Sequence, residues 1–318
     1  MGYYRYTIEP LSAFATPLRS DTLYGHLLCA VAEWEGDSAV AELIDVFKSD
    51  SPPFRLSSAF PSGFLPMPVL PGIPRARFRE RFAHGDDVVV LVDKLGRYKG
   101  LRKLGYLPLK VWRELRAGLS QEKIFAAYLE DETAFEPPKS ENVLEPHNSI
   151  DRRGDNVLDE GGLFFTQVTF YKPGSKLDLY VQSDDVKRFE EILAYMAQTG
   201  FGADRTTGKG HFQWECDPNF DQDLFEAEGD WQMNLSVCAT PTLTEVAGHY
   251  KPFIKHGKVW SGFGESNPFK KPFLAFEEGS VFRRVPGPGH VLQNVHSDPK
   301  VVQVTWPLTV PFAMEDSP

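Results

Sequence analysis

The stretch 185-DVKRFEEILAYMAQTGFGADRTTGKGHFQWE-215 carries the clearest local signals in the chain. Its first half has apolar residues at the spacing of one helix face, at Val186, Phe189, Ile192, Leu193 and Met196. Gly200 stands where a helix C-terminal glycine belongs, because glycine readily adopts the left-handed backbone that ends many helices. HFQWE then alternates as a half-buried strand does. The stretch therefore predicts a helix, a glycine-rich loop and a strand.

The glycine-rich loop, residues 200–210, has the composition of a phosphate-binding loop without its spacing. Five residues separate Gly202 from Gly208, and a glycine follows Lys209 where the Walker A pattern needs a hydroxyl residue. Arg205 stands where the dinucleotide pattern needs its third glycine, and a strand follows instead of a helix. Any phosphate would therefore be held by exposed loop amides and these two cations. An inert connection is the alternative.

Outward from this stretch, the predicted elements follow the order β-α-β-β-α-β. YYRYTIEP (3–10) indicates a strand, and Ser20 or the next residue can cap the following helix. The apolar face of that helix comprises Leu23, Tyr24, Leu27, Leu28, Val31 and Trp34. LFFTQVTFY (163–171) and LDLYVQ (177–182) flank KPGSK, which is a hairpin signal. The order is that of an α+β, ferredoxin-like domain with a long insertion at residues 50–160.

The last third of the chain has a different pattern. Residues 216–230 are acidic and poorly periodic, which predicts a linker. From Trp231 on, short strand-like runs follow one another with almost no helical periodicity. We therefore predict an N-terminal domain over residues 1–225 and a smaller, β-rich domain over residues 226–318.

The composition argues against several classes of protein. No charged start is followed by an apolar run, and no stretch is apolar enough to cross a bilayer, so neither secretion nor a membrane span is expected. Cys29, Cys216 and Cys238 are too few and too widely spaced for a disulfide framework or a zinc site. We expect a cytoplasmic protein without a metal or cofactor.

The formal net charge is −10, yet the cations are concentrated in one place. Residues 75–116, here called the basic segment, contain twelve Lys/Arg against five Asp/Glu. Because the positive charge is concentrated there, the negative net charge of the whole chain does not exclude nucleic acid as a partner. Within the segment, RARFRER (75–81) alternates, so in a strand its four arginines would lie on one face. A charged edge strand that faces solvent is the alternative.

PHNSIDRRG (146–154) is the densest polar cluster. His147 could act as a general base beside Arg152 as a phosphate clamp, as in metal-independent RNA cleavage. Asn148, Ser149 and Asp151 could equally make side-chain-to-backbone hydrogen bonds in a turn. No metal-ligand spacing, nucleophile elbow or pair of carboxylates is apparent elsewhere in the sequence.

Five segments together resemble the RAMP superfamily of CRISPR proteins. They are the opening strand, SDTLYGHL (20–27), PHNSIDR, the glycine-rich loop and KKPFLAFEEGSVFR (270–283). More narrowly, the sequence is similar to the fourth subunit of the type III-A Csm effector complex, whose members carry similar segments in the same order. The resemblance spans nearly the whole chain.

The resemblance implies two ferredoxin-like, RRM-like domains in tandem that face each other across a basic cleft, with a projecting β-hairpin. Family members cap the effector complex by binding the repeat-derived 5′ handle of the mature guide RNA (crRNA). They also anchor the large palm-domain subunit and contact a backbone RAMP subunit, and they meet target RNA only indirectly. They are not known as nucleases. We therefore expect a non-catalytic, RNA-binding protein of antiviral defence with no membrane contact.

Carried onto this chain, the resemblance places the crRNA handle against the glycine-rich loop. RARFRER and YKGLRKLGY (98–106) would form the projecting hairpin or its base, where a kink in the RNA is expected. The sequence departs from the family at Ala203 and Asp204, where further glycine and basic residues are more usual. The expected RNA-binding residues are Arg19, Ser20, Arg75, Arg77, Arg79, His147, Asn148, Ser149, Arg152, Arg153, Gly200, Gly202, Arg205, Thr206, Thr207, Gly208, Lys209 and Gly210.

Two other functions remain open at this point. One is a metal-independent endoribonuclease that cuts CRISPR repeat RNA with His147 as the base, since processing members of the superfamily use such folds. The other is the equivalent subunit of the related Cmr-type complex, in which the fold and the role would be nearly the same.

Overall fold

The structure, a computed structural model, describes residues 1–82, 88–148, 150–151, 156–157, 162–239, 246–259, 267–283 and 290–315. Its helices are α1 (Ser20–Glu35), α2 (Asp37–Phe47), α3 (Arg75–Phe82), α4 (Val88–Leu101), α5 (Leu109–Leu115), α6 (Gln121–Glu130), α7 (Val186–Thr199) and α8 (Asp223–Glu226). Its strands are β1 (Gly2–Pro10), β2 (Phe54–Leu56), β3 (Phe60–Pro61), β4 (Phe64–Pro66), β5 (Tyr106–Pro108), β6 (Ser140–Asn148), β7 (Ile150–Asp151), β8 (Asn156–Val157), β9 (Leu163–Tyr171), β10 (Leu177–Ser183), β11 (Phe212–Cys216), β12 (Trp231–Asn234), β13 (Gly248–His249), β14 (Pro252–Lys255), β15 (Phe273–Phe276), β16 (Val281–Phe282), β17 (Val291–Leu292), β18 (Gln303–Val304) and β19 (Thr309–Phe312).

The first sheet has the strand order β11-β1-β10-β2, and all of its pairings are antiparallel. Its central strand β1 sets Tyr6 opposite Leu179 of β10 and Cys216 of β11. Helices α1 and α7 pack beside each other, and buried Phe189 and Ile192 of α7 share a core with Tyr6. The predicted helix, glycine-rich loop and strand are therefore confirmed, because the apolar spacing of α7 matches a single buried sheet face.

The second strand of this sheet is not the one that the sequence predicted. Residues 54–61, which form β2 and β3, pair with β10, whereas β9 pairs over its whole length with β6. The turn in KPGSK is present, since the Ser175 N–H donates to the Lys172 carbonyl at 2.9 Å. The chain nevertheless leaves one sheet and enters another there. The hairpin prediction for 163–182 is wrong, because a turn signal does not determine which strands pair.

The second sheet has the order β13-β16-β12-β19. Helices α3 to α6 of the insertion pack against it and form its helical layer. The ring of Trp112 in α5 lies 5.4 Å from that of Phe312, centroid to centroid, and the Leu119 N–H donates to the Ala313 carbonyl at 2.8 Å. Within the described part of 231–315 there is no helix, as the sequence predicted. The boundary predicted near residue 225 stays a prediction, since α3 to α6 share a core with strands on its far side.

RARFRER forms most of helix α3, so the prediction of an extended strand is wrong. Phe78 and Phe82 lie one helical turn apart and are both buried against Phe125 of α6. In a helix of 3.6 residues per turn, arginines at every second position diverge around the axis instead of sharing a face. The segment 98–106 also differs from the expectation, because it spans the end of α4, a turn and the start of β5. Neither segment contributes a strand to the β6–β9 pair, but Leu104 and Tyr106 of 98–106 line a groove together with Ser140 and Tyr171 at the base of that pair.

The predicted linker at 216–230 is docked against the rest of the chain. Its short helix α8 buries Leu224 and Phe225, and the ring of Phe225 stacks on Tyr3 at 4.3 Å. Asp217 accepts from Arg5, and Asp223 accepts from Arg116. The acidic residues of this segment are therefore partly balanced by cations of the first sheet and of the basic segment.

Candidate nucleic-acid interface

The projecting hairpin of this protein is formed by β6 and β9, here called the hairpin. Nine antiparallel pairs run from Ser140 opposite Tyr171 at its base to Asn148 opposite Leu163 at its outer end. The hairpin is joined to the segment before α1 through Phe14, which exchanges two backbone hydrogen bonds with Thr169 at 3.0 and 2.8 Å. The expected hairpin is thus present, but it lies outside the basic segment.

The hairpin exposes apolar side chains toward its outer end. Residues that face each other across the two strands share a side of the ribbon. One side, here called the Phe165 face, includes Leu144, Leu163 and Phe165, whose exposed fractions are 64%, 57% and 59%. Phe164 on the opposite side is 47% exposed. Large apolar side chains grouped in this way mark a surface that binds a partner.

The glycine-rich loop folds back on itself and on the segment before α1. The Phe201 N–H donates to the Gly210 carbonyl at 2.9 Å, and the Gly210 N–H donates to the Ala13 carbonyl at 2.8 Å. Gly202 and Gly210 both have positive φ, and a Cβ on Gly210 would lie 1.9 Å from the Phe201 carbonyl oxygen. Part of the glycine content is therefore required by this tight closure. The exposed tip consists of Thr206, Thr207 and Gly208.

The two cations of the loop are each bound to a carboxylate. Arg205 pairs with Glu33 of α1, and Lys209 Nζ lies 2.7 Å from Glu145 Oε1 of β6. Lys209 Nζ also lies 5.6 Å from the centroid of the Phe170 ring, so it links the loop to the hairpin. A phosphate at either cation would compete with a carboxylate of the same chain. This competition was not visible in the sequence, because both partners are distant along it.

His26 of α1 packs against Phe201 of the glycine-rich loop. Its ring lies 4.5 Å from that of Phe201, centroid to centroid. Burial, with the nearby charge of Arg205 as a second cause, lowers the pKa of His26 to about 4. The neutral imidazole is therefore the form that packs under the loop at neutral pH.

The other predicted site residues fall into separate places. Arg19 makes two hydrogen bonds to Glu278, at 3.1 and 2.6 Å, and its guanidinium lies 4.6 Å from the ring centroid of Phe253. Ser20 is fully buried, and its hydroxyl accepts from the Val237 N–H at 2.7 Å. Ser20 has no surface for a ligand in this conformation. Both residues join the start of α1 to the second half of the chain.

The polar cluster around His147 is described only in part. The ring of His147 stacks on that of Phe164 at 5.2 Å, and its Nε2 is buried without a hydrogen-bond partner among the described residues. Asn148 ends β6 and is exposed. Ser149, Arg152 and Arg153 lie outside the described residues.

The predicted arginines of α3 are remote from the loop in the architecture. Arg77 pairs with Glu122 of α6, whereas Arg75 and Arg79 are exposed. Helix α3 packs against α4 and belongs to the helical layer of the second sheet. The structure thus joins the loop to the hairpin and places these arginines elsewhere.

A groove with a volume of about 530 Å³ lies at the base of the hairpin. Its lining includes Tyr106, Tyr128, Phe135, Lys139, Tyr171 and Lys176. Burial, with the adjacent phenol of Tyr106 as a second cause, raises the pKa of Tyr171 to about 12. The lining comes from four separate parts of the sequence, so no local motif could have predicted it. Among the described residues, no cluster of potential ligands could hold a metal ion.

One known protein resembles this chain in sequence along nearly its whole length. The CRISPR system Cms protein Csm4 of Thermococcus onnurineus (strain NA1) is 30% identical over 317 residues, which cover 95% of this chain and 94% of the relative. The chain belongs to the Csm4 family. No protein-family model matches it.

Solved structures share the fold of this Csm4-family chain. A chain of the Csm3–Csm4 subcomplex of the type III-A CRISPR-Cas interference complex superposes with a TM-score of 0.61 at 16% identity, covering 97% of this chain and 99% of that one. A chain of the Csm1–Csm4 cassette in complex with pppApA gives 0.55 at 21% identity, covering 98% and 99%. The predicted resemblance to a type III-A RAMP protein is confirmed. None of the described helices is both long and apolar enough to cross a bilayer.

Proposed function

We propose that this protein is the subunit of a type III-A effector complex that binds the 5′ handle of crRNA and does not cut RNA. In the same proposal, it anchors the large palm-domain subunit and contacts a backbone RAMP subunit. Its curated relative is a Csm4 protein, and the similar solved chains come from Csm1–Csm4 and Csm3–Csm4 assemblies. Family membership also favours the Csm complex over the Cmr-type alternative.

The observation that carries the RNA-binding proposal is the contact between the glycine-rich loop and the hairpin. Lys209 joins them, because its ammonium pairs with Glu145 and lies 5.6 Å from the ring centroid of Phe170, which is 41% exposed. Single-stranded RNA is bound by this combination, since cations neutralise its phosphates while aromatic rings stack on its unpaired bases. An A-form duplex would offer no bases for such stacking.

The ion pairs of the loop set how its cations would contribute to binding. Glu33 and Glu145 hold Arg205 and Lys209 in fixed positions but also reduce the local positive potential. A phosphate that contacts Lys209 would displace Glu145 or share the ammonium with it. Neutralising Glu145 should therefore favour RNA, whereas removing Lys209 should weaken it. These opposite signs distinguish a phosphate-binding lysine from one that only fastens the hairpin.

The test measures the Kd of the purified protein for crRNA at several salt concentrations. Arg205→Ala combined with Lys209→Ala should raise Kd and flatten the salt dependence by about 0.7 in log–log slope for each phosphate that is no longer neutralised. Glu145→Gln should bind as tightly as wild type or more tightly. Lys187→Ala, an exposed lysine of α7, is the matched control and should change little. Wild-type Kd and slope in the double variant would contradict this placement.

The non-catalytic part of the proposal is tested with purified protein and CRISPR repeat RNA. We expect the RNA to remain intact with and without a chelator. His147 is stacked on Phe164 and its Nε2 is buried, which is unsuitable for a general base that must reach a ribose hydroxyl. Product bands that disappear in His147→Ala would support the endoribonuclease instead.

A further inference from the structure

We propose that Arg205 is a positioning residue, which holds the exposed tip of the glycine-rich loop in place through Glu33 of α1. This role rests on the proposed function, because the tip, residues 206–208, is exposed where single-stranded RNA would meet the loop. Arg205 then acts on RNA through the shape of the loop and not through a phosphate of its own. Lys209 remains the cation of the loop that neutralises a phosphate.

Glu33 receives hydrogen bonds from two different elements. Arg205 Nη1 donates to Glu33 Oε2 at 3.4 Å, and Arg205 Nη2 pairs with Glu33 Oε1. The Tyr195 hydroxyl of α7 donates to the same Oε2 at 3.2 Å. The side chains of Arg205 and Glu33 are only 15% and 17% exposed. Glu33 therefore fastens the loop to α1 and α7 at a mostly buried point.

This ion pair makes Arg205 less suited to bind a phosphate than Lys209. Arg205 directs two nitrogens at one carboxylate, which is the geometry in which arginine binds a carboxylate most strongly. A turn of Arg205 toward RNA would leave the mostly buried Glu33 without this cation, and breaking such a pair is costly. Lys209 differs, because an ammonium has three donors and its partner Glu145 is 28% exposed. Lys209 can therefore bind a phosphate while it stays beside Glu145.

The backbone of the tip needs an anchor of this kind. Asp204 and Gly208 lie on either side of the turn Arg205–Thr207, and both are left-handed, with φ of +59° and +91°. The left-handed conformation is unfavourable for a residue with a Cβ, such as Asp204. Arg205 is the first residue of the turn, so its pair with Glu33 restricts the positions that the tip can adopt. A loop that is ordered before RNA binds loses less conformational entropy on binding.

The first experiment measures the Kd for crRNA at several salt concentrations in single variants of the loop. Arg205→Ala should raise the Kd about tenfold with the wild-type salt slope, because the loop loses its order but no phosphate contact. Arg205→Lys keeps the charge without the forked geometry and should still raise the Kd at least about threefold. Lys209→Ala should instead flatten the slope by about 0.7. A flatter slope in Arg205→Ala, or a wild-type Kd in Arg205→Lys, would overturn the positioning role.

The second experiment removes the carboxylate. Glu33→Ala should raise the Kd about tenfold, although it takes a negative charge away from the loop, and its sign is therefore opposite to that of Glu145→Gln. Adding Arg205→Ala should cause no further loss, since both changes remove the same contact. Glu35→Ala removes the ion pair of α1 with Arg188 and is the matched control, with a Kd within about twofold of wild type. Tighter binding in Glu33→Ala would mean that Glu33 only competes with phosphate for Arg205.

Unfolding free energies measured on the same variants separate positioning from a purely structural role. If Arg205→Ala and Glu33→Ala lose stability but bind crRNA with the wild-type Kd and slope, the pair only stabilises the fold and the inference is wrong. If both bind more weakly at temperatures where they remain fully folded, the change lies in the loop itself. Arg205→Lys, which keeps the charge and most of the side-chain volume, provides this comparison even if Arg205→Ala does not fold.

The outcomes also separate this inference from the proposed function. If wild type does not bind crRNA, both are wrong. If Lys209→Ala flattens the salt slope and Arg205→Ala does so equally, Arg205 contacts a phosphate, and only the positioning role is wrong. Tighter binding in Glu33→Ala likewise overturns the positioning role alone.

Discussion

The basic segment and the glycine-rich loop both collect cations, but the fold uses those cations differently. In the basic segment, Arg77 pairs with Glu122, Arg97 with Glu132 and Arg116 with Asp223. These pairs hold the helical layer together and fasten the acidic 216–230 segment. The loop has only two cations, yet one of them extends to the hairpin, where large apolar side chains are exposed.

The difference teaches that a local excess of positive charge is not by itself a criterion for the proposed RNA surface. The basic segment holds the largest local excess of positive charge, and several of its arginines pair with carboxylates of the same chain. Both loop cations are paired as well, so ion pairing does not separate the two regions. The loop is the better candidate because its Lys209 lies beside the exposed ring of Phe170, and RNA single strands need both phosphate neutralisation and stacking. Four experiments test how the fold uses these regions.

The largest effect is expected from Trp112→Ala. Trp112 is fully buried between the helical layer and Phe312 of the second sheet, so its removal leaves a cavity. We expect the free energy of unfolding to fall by about 3–5 kcal/mol, measured by chemical denaturation. Arg113→Ala at the next, exposed position is the control and should cost less than about 1 kcal/mol. If the unfolding free energy of Trp112→Ala falls no further than that of the control, the helical layer does not stabilise the fold by packing on the second sheet.

The sequence predicted the helices and strands around the first sheet better than it predicted which strands pair. The spacing of Phe189, Ile192 and Met196 defined α7, because one helix face is buried against one sheet. The same reasoning could not assign β9 to β6, since many strands satisfy an alternating pattern. RARFRER was misassigned because its Phe78 and the following Phe82 are spaced one helical turn apart, which fits a helix as well as the alternation fits a strand. Local periodicity does not report long-range contacts, so the hairpin's true position and the groove required the structure.

The second effect is a loss of stability at low pH through His26, which packs under the glycine-rich loop. The pKa of His26 is lowered to about 4 from its ordinary value of 6.5, mainly by burial. The unfolded chain therefore binds more protons between those values, and stability is lost as pH falls through this window, by at most about 1.4 kcal/mol per pH unit for this residue. His26→Gln should lose less stability than wild type between pH 7 and acid. The unfolding free energies of both proteins are measured by chemical denaturation at each pH. An equal loss in His26→Gln and in wild type would contradict this role of His26. The pKa of His290 is also lowered to about 4, so the acid-induced loss of stability that comes from His290 should be the same in His26→Gln as in wild type.

A smaller effect separates two glycines of the same loop. Gly208 has a φ of +91° with nothing within 4 Å of its Cβ position, whereas Gly210 has a φ of +71° and a Cβ position 1.9 Å from the Phe201 oxygen. Gly208→Ala should cost about 1 kcal/mol from backbone strain alone. Gly210→Ala should cost more than about 2 kcal/mol and weaken crRNA binding, because the loop must open. Equal unfolding free energies would mean that the loop is not closed as described.

The smallest effect is expected from Arg75→Ala combined with Arg79→Ala. Both side chains are exposed and lie one helical turn apart on α3, whereas Arg77 and Arg81 lie on another side of the helix. We expect the unfolding free energy to change by less than about 0.5 kcal/mol, and the Kd for crRNA to stay within about twofold, measured beside Arg205→Ala with Lys209→Ala. A clear rise in Kd with a flatter salt dependence would place α3 on the RNA path.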